Sequence, residues 1–281
     1  MVIFNKSDIN QAKASDLAWC EAKDIPCMPI SLRQAQNPTL IRQALLELAP
    51  TRLWQPPPLL SDLLPPNPLV VCVAPIDSGA PAGRLIAPQV QVLREIIEIR
   101  GQTLLLQPEE LTQGLNRLRQ TPHLVITDSQ AVVQVNRDLP TDIPLTTFSL
   151  LFARQKADFD LMLEGAGQIE QIGKNAKVLI AEACSHHAQK EDIGRVKLPN
   201  LLRQHLGHEL DFDFYAGQDF PHNLEEYNLV LHCGGCMLTY KAMQQRLAYC
   251  QQHKVAVTNY GMAIAQCQGL LKRVTDIFQM Y

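Results

Sequence analysis

The chain has 281 residues, of which 46% are hydrophobic and 19% charged, so it can bury sizeable cores and suits about two domains. A net charge of −3 gives no basic field for nucleic acid, and no block of like charges marks a binding tail. The N-terminal residues lack a signal-peptide pattern, and no apolar run reaches the ~18 residues of a membrane span. We therefore expect a globular cytoplasmic protein with neither a nucleic acid nor a membrane as partner.

The eight cysteines are too sparse in a chain of this length for a secreted disulfide scaffold. In a reducing compartment they divide between core residues and ligands. Cys250 and Cys267 lie in the apolar stripes of predicted helices, and Cys72 lies inside a predicted strand, so we assign all three to the core. Cys20 and Cys27, near the N-terminus, are also expected to be inert.

The N-terminal region begins with a strand-like run, Val2-Ile3-Phe4, followed by Asn5-Lys6-Ser7-Asp8. These four residues resemble the N-K-x-D guanine-reading motif of small GTPases. The resemblance implies that Asp8 would accept hydrogen bonds from guanine, while Asn5 and Lys6 would brace the pocket. The alternative is an edge strand followed by a polar turn.

The residues after this motif extend the resemblance. A helical pattern runs from Asp8 to about Ala22, and Pro29-Ile30-Ser31 resembles the family's next guanine-side loop. The sequence contains no G-x-x-x-x-G-K-[ST], which would supply the phosphate-binding amides and a magnesium-binding hydroxyl. We interpret residues 1–50 as the C-terminal remnant of a P-loop GTPase domain with a vestigial guanine site.

A proline-rich stretch, residues 51–68, follows this region and contains six prolines between positions 56 and 68. This density disfavours both helices and strand ladders and favours extended polyproline II. We place a domain boundary here. The pairs Leu59-Leu60 and Leu63-Leu64 indicate that the linker packs against a neighbouring domain.

The next region, residues 69–171, alternates short apolar runs with helical periodicity, which predicts a small α/β domain with a mostly parallel sheet. Apolar residues beyond the need of one small sheet predict a subunit contact, so we interpret this as a dimerisation domain. The predicted strands are 70–74, 103–106 and 124–127, the predicted helix is 89–100, and the additional apolar residues are Val132, Val133, Val135 and 144–152.

The last region, residues 172–281, repeats the α/β alternation and carries the chemistry. Open parallel sheets place ligands beyond the carboxyl ends of their strands, and Cys184, Cys233 and Asn259-Tyr260-Gly261 follow predicted strands there. The predicted strands are 178–180, 210–215, 229–231 and 255–257, and the predicted helices are 199–206, 239–252 and one that begins at about 262.

Two short clusters, Cys184-Ser185-His186 and His232-Cys233-Gly234-Gly235-Cys236, bring three thiols and two imidazoles to this edge. Thiolates are good ligands for zinc and iron, and two cysteines on a Gly-Gly turn can reach one metal centre. A redox dithiol at Cys233 and Cys236 is less consistent with a third cysteine. Spacing alone leaves zinc and an iron–sulfur cluster open.

The spacing C-x-H, 45 residues, H-C-x-x-C resembles the signature of HydF, the family of maturation GTPases of FeFe-hydrogenases, although the gap is slightly short. Residues 83–89 and 191–199 and the order of the three regions agree with that family. The resemblance implies a 4Fe-4S cluster held by Cys184, Cys233 and Cys236, with a weak fourth ligand. The candidates for this ligand are Glu191, His186 and His232.

The function implied by this resemblance is a scaffold that receives the diiron precursor of the hydrogenase active site from radical-SAM maturases and delivers it to apo FeFe-hydrogenase. It also implies a homodimer or higher homo-oligomer, with GTP as a cofactor of the full-length family. Arg195 and Lys197 could pair with the anionic cluster or cargo, or could simply be solvated. The alternative function is a zinc-binding or dithiol oxidoreductase protein that uses the same Cys/His cluster.

Because the chain lacks the phosphate-binding loop, we predict that it does not hydrolyse GTP. A phosphate-release assay on the purified protein should show no GTP-dependent turnover. Turnover above the rate without protein, lost on Asp8→Ala, would contradict the remnant interpretation.

Overall fold

The computed structural model describes residues 1–34, 37–49, 57–76, 85–183, 192–217, 220–235 and 238–279. The chain divides into two compact units, Met1–Pro57 and Pro58–Tyr281. Within these described ranges, no helix combines the length and apolar character that a membrane span requires.

The first unit pairs two short parallel strands, β1 (Val2–Phe4) and β2 (Cys27–Pro29), and adds helices α1 (Ala14–Ala22) and α2 (Asn37–Leu48). The prediction of a helix from Asp8 is wrong for the first residues of that range. Lys6 has a left-handed φ of 64°, and its carbonyl accepts the N–H groups of Ile9 and Asn10. This turn delays the helix until Ala14.

The second unit contains two four-stranded sheets in which every paired strand is parallel, which confirms the predicted α/β class. The first sheet has the order β4-β3-β5-β6; its strands β3, β5 and β6 are buried, whereas the edge strand β4 is partly exposed. Its elements are β3 (Leu69–Val73), α3 (Ala87–Glu98), β4 (Gln102–Leu106), α4 (Leu111–Asn116), β5 (Leu124–Thr127), α5 (Val132–Asp138), β6 (Leu145–Thr147) and α6 (Phe148–Lys156).

The second sheet has the order β10-β9-β7-β8. The predicted continuous closing helix is wrong, because Gly269 adopts a left-handed φ of 66° and separates two helices. The elements are α7 (Phe159–Gly167), β7 (Lys177–Glu182), α8 (Leu198–Leu206), β8 (Asp211–Ala216), β9 (Leu229–His232), α9 (Tyr240–Gln252), β10 (Ala256–Asn259), α10 (Tyr260–Cys267) and α11 (Leu271–Thr275).

The apolar residues that motivated the predicted subunit contact are mostly internal. Val132 and Val135 are fully buried in the core of the unit, as is Phe152 in α6, whereas Val133 is 47% exposed. The surplus of apolar residues therefore reflects helices α5 and α6, which the sequence pattern did not predict. It is not evidence for a subunit contact.

The described end of the proline-rich stretch belongs to the core of the second unit. Leu59, Leu60 and Leu63 are buried, and the Glu95 carboxylate accepts the N–H groups of Leu59, Leu60 and Ser61. A 3₁₀ turn, Ser61–Leu63, forms there, so the prediction of extended polyproline II is wrong at these residues. The reason is that the carboxylate satisfies the first N–H groups of the turn while the leucines pack.

Helix α7 lies very close to strand β10 at one glycine. A Cβ atom on Gly165 would lie 2.1 Å from the carbonyl oxygen of Val257, which is backbone and cannot yield easily. Gly167, two residues later in the same helix, has helical dihedral angles and open space around it. The close approach of α7 to the second sheet therefore depends on Gly165.

These two glycines give a matched test of the packing. Gly165→Ala should lower the free energy of unfolding by about 1–3 kcal/mol or more, because the methyl group overpacks against backbone. Gly167→Ala should raise it by about 0.5–1 kcal/mol, because alanine loses less backbone entropy in a helix. Urea denaturation of both variants checks this, and equal effects of the two changes would contradict the close packing.

Candidate metal centre

The carboxyl ends of three neighbouring strands meet at the candidate site. His232 on β9 is in register with Ala181 on β7 and with Asn259 on β10. Cys233 follows β9 directly, and its N–H group donates to the carbonyl of Ala181 at 2.9 Å. Tyr260 follows β10 in the same way. The parallel register therefore brings the residues after these strands to one edge of the sheet.

The sulfur of Cys233 receives a backbone hydrogen bond. The N–H group of Ala183 donates to Cys233 Sγ over 3.0 Å, and Cys233 is partly buried. A hydrogen bond to the charged form of an acid favours that form, so this donor stabilises a thiolate. Cys184, which follows Ala183 in the sequence, lies outside the described residues.

The glycine turn after Cys233 has a conformation that requires glycine. Gly235 adopts a left-handed φ of 61°, and a Cβ atom there would lie 2.4 Å from Met243 Cε. The N–H group of Leu238 donates to the carbonyl of Gly235 at 2.9 Å. Cys236, between these two residues, lies outside the described ranges.

His232 is buried and has protein partners on both ring nitrogens. Its Nε2 is 2.9 Å from the Arg246 guanidinium, and its Nδ1 is 2.8 Å from the carbonyl of Cys233. Because the guanidinium can only donate, Nε2 must accept and Nδ1 must carry the proton. Burial lowers the pKa of His232 to about 4, with a smaller contribution from Arg246. In this arrangement His232 is neutral and offers no free lone pair to a metal.

A buried carboxylate anchors the segment that follows the first cluster. Glu182, the last residue of β7, is 2% exposed and pairs with Arg195 at 2.9 Å. Arg195 lies in a π-helical turn, Ile193–Lys197, whose N-terminus is capped by the side chain of Asp192. The hydrogen bond to Glu182 raises the pKa of Arg195, so the positive charge of Arg195 is paired with this carboxylate. Lys197 donates to Gln130 at 2.9 Å.

Tyr260 places a hydroxyl at the same edge. Its Oη is shielded from solvent and has no hydrogen-bond partner among the described residues. A Cβ atom on Gly194 would lie 2.5 Å from this oxygen, so the missing side chain of Gly194 makes room for it. Burial raises the pKa of Tyr260, and the negative charges of Cys233, Glu182 and Asp192 raise it further. The hydroxyl is therefore protonated at neutral pH.

Four of the predicted ligands, Cys184, His186, Glu191 and Cys236, lie outside the described residues. Within the described ranges, no group of three or more His, Cys, Asp or Glu side chains could hold a metal. The part of the edge that is described nonetheless fits a thiolate-held group, because it offers an N–H donor to Cys233 Sγ and a buried hydroxyl without a partner. The assignment of the ligands stays a prediction.

The other described cysteines differ from Cys233 in their environments. Cys72 and Cys250 are buried in the two core clusters, and burial raises the pKa of Cys72 to about 11 and that of Cys250 to about 12. Cys267 is partly buried on α10, and burial raises its pKa to about 12. Cys20 is buried, whereas Cys27 is exposed. Raised pKa values keep thiols protonated and poor as ligands.

In the first unit, the predicted guanine-reading residues form a braced loop. Asn5 Oδ1 accepts the N–H group of Lys6 at 2.8 Å and that of Leu32 at 3.4 Å. This second bond ties the N-K-x-D residues to the loop after β2, which sequence analysis assigned to the same site. Asp8 lies 3.9 Å from the exposed guanidinium of Arg33.

The sequence pattern missed two residues of the metal edge. Glu182 carried a weak signal, because it is a carboxylate at the end of an apolar run. Arg246 carried none, because its place in a helix of mixed polarity predicts a solvated side chain, whereas it is only 8% exposed.

Two family models match the chain. Residues 160–277 match the "Hydrogen maturase F tetramerization domain", and residues 59–157 match the "Hydrogen maturase F dimerization domain". A search of curated proteins found no match. A solved structure of an NtrC family transcriptional regulator from Clostridium acetobutylicum is 11% identical over 73% of this chain and 97% of that chain, with a TM-score of 0.23. This low similarity carries no structural argument.

Arg246 should stabilise the fold, because its side chain holds His232 at the edge of the second sheet. Its guanidinium donates to His232 and to the carbonyl of Gly217, so Arg246→Met leaves one buried and one partly buried acceptor without this donor. We expect a loss of about 1–3 kcal/mol in the free energy of unfolding of the metal-free protein. Lys241→Met, an exposed change on the same helix, should alter it by less than about 0.5 kcal/mol. Similar effects in urea denaturation would contradict this assignment.

Proposed function

The chain belongs to the hydrogen maturase F family, and we propose that it is a scaffold that carries a 4Fe-4S cluster and the diiron precursor of the FeFe-hydrogenase active site. The proposed ligands of the cluster are the thiolates of Cys184, Cys233 and Cys236. The cluster supplies an iron with one weakly held coordination position when it is bound.

The observation that carries the proposal is the hydrogen bond from Ala183 N–H to Cys233 Sγ. It supports the thiolate form of Cys233, which is the form that binds iron. It also brings the end of β7 within hydrogen-bond distance of this sulfur, and Cys184 is the next residue along the chain. The residue that precedes one proposed ligand, Cys184, is therefore in contact with the sulfur of another, Cys233.

The candidates for the fourth ligand are Glu191, His186 and His232. The two hydrogen bonds of His232 argue against it, because ligation would first require the loss of the Arg246 bond or of the bond to the Cys233 carbonyl. Glu191 is our preferred candidate. A carboxylate is a hard ligand, which cluster iron binds weakly, and so it would exchange readily when cargo arrives.

The partners in this proposal are radical-SAM maturases, which supply the precursor, and apo FeFe-hydrogenase, which accepts it. The two matched regions are described as dimerization and tetramerization domains, which supports a homo-oligomer. For residues 1–50 we propose a vestigial guanine site at Asn5, Lys6 and Asp8. The bond from Leu32 N–H to Asn5 supports it, because it joins the two loops that this site requires.

Anaerobic reconstitution with iron and sulfide tests the proposed cluster. The wild-type protein should bind about four irons and, after reduction, give the EPR spectrum of a 4Fe-4S cubane. Cys233→Ser should abolish this binding, because the ligand and its hydrogen-bonded thiolate are both lost.

Cys250→Ser is the matched control. This thiol is 1% exposed in the core, so the variant should keep its iron even if the hydroxyl lowers stability. Equal loss of iron from both variants would mean that ligand and core cysteines are misassigned. Stoichiometric zinc with no iron-dependent absorbance in the wild-type protein would refute the scaffold and favour a zinc protein.

A further inference from the structure

The hydroxyl of Tyr260 is a buried donor with nothing to donate to among the described residues. Leaving such a group unpaired costs stability, so buried donors of this kind usually have a partner. Phenylalanine would fill the same space without this cost. The position of the hydroxyl therefore calls for an acceptor that the described residues do not supply.

The direction in which Tyr260 extends is fixed by two contacts. Its backbone follows β10, on one side of β9, where Asn259 is in register with His232, the residue before Cys233. Its Oη lies against Gly194, and the neighbouring Arg195 is bonded to Glu182 at the end of β7, on the other side of β9. The side chain thus extends from one neighbour of β9 toward the other, across the strand end that carries Cys233.

The groups around this hydroxyl are mainly negative. The charges of Cys233, Glu182 and Asp192 all act on Tyr260 and oppose its ionisation, and only Arg195 acts in the opposite sense. Glu182 is already neutralised by Arg195, and Asp192 caps the turn that Arg195 occupies. The sulfur of Cys233 lies at the end of β9, across which Tyr260 extends, and its negative charge is the first of these to act on the hydroxyl.

We propose that Tyr260 is a positioning residue that donates its O–H to a sulfur of the bound cluster, either the Cys233 thiolate or an adjacent bridging sulfide. This inference rests on the proposed function and deepens it. Hydrogen bonds to sulfur reduce the effective negative charge of an iron–sulfur centre and so raise its reduction potential. Tyr260 would thereby raise the reduction potential of the cluster that receives the cargo.

Tyr260→Phe, reconstituted with iron and sulfide, tests this through an EPR-monitored redox titration. We expect wild-type iron content and a midpoint potential shifted to more negative values. About a tenfold change in the ratio of oxidised to reduced cluster corresponds to about 59 mV for one electron. The metal-free variant should unfold at the same or a higher urea concentration than wild type, because it loses only an unpaired hydroxyl.

Tyr227→Phe is the matched control. Tyr227 donates to Asp213 at 2.7 Å and lies before β9, at the opposite end of the strand from Cys233. Its loss should lower stability and leave the potential unchanged. Gly194→Ala approaches the same contact from the other side, because its methyl group displaces the hydroxyl, and it should shift the potential in the same direction as Tyr260→Phe.

The outcomes separate the two proposals. A wild-type cubane with the same midpoint potential in Tyr260→Phe would overturn the role of Tyr260 and leave the scaffold standing. Lower stability of metal-free Tyr260→Phe together with loss of iron would show a structural role and also overturn it. A wild-type protein that binds no iron–sulfur cluster would overturn both.

Discussion

The parallel register of β7, β9 and β10 is the constraint on which the candidate site depends. Because Ala181, His232 and Asn259 are in register, the residues that follow them reach the same edge together. A shift of one residue in the register of β9 would move each of its side chains to the other face of the sheet. The bond from Ala183 N–H to the Cys233 sulfur exists only in the observed register. The site is therefore a product of the buried apolar core, which fixes the strands.

The sequence predicted the second unit well where short apolar runs form buried strands. Leu124–Thr127 and the strand that ends at His232 follow directly from such runs, and the carboxyl-edge rule then located the site. Boundaries that depend on single backbone conformations were not predicted. The left-handed φ of Lys6 delays α1, and that of Gly269 divides the closing helix. Each effect is local in the chain but depends on packing that only the fold supplies.

Long-range partners were the least predictable part. Nothing in the sequence links Glu95 to the N–H groups of Leu59 to Ser61, or Gly165 to the backbone of Val257. The same holds for His232, which as a residue type suggests a metal ligand. Its bond to Arg246 depends on how α9 packs on β9, and this bond, rather than the identity of the residue, determines that its lone pair is occupied.

The electrostatics of the edge support an anionic occupant. Arg246 is nearly buried, and within the described ranges no carboxylate lies at ion-pair distance from it; it bonds only neutral acceptors and packs over the ring of Phe220 at 5.1 Å. An unpaired buried cation is costly unless a negative charge is nearby. The thiolate of Cys233 is such a charge, and it acts to raise the pKa of Arg246 against the effect of burial. A negatively charged group held by the Cys233 thiolate would offset the positive charge of Arg246. The same group would accept a hydrogen bond from the hydroxyl of Tyr260.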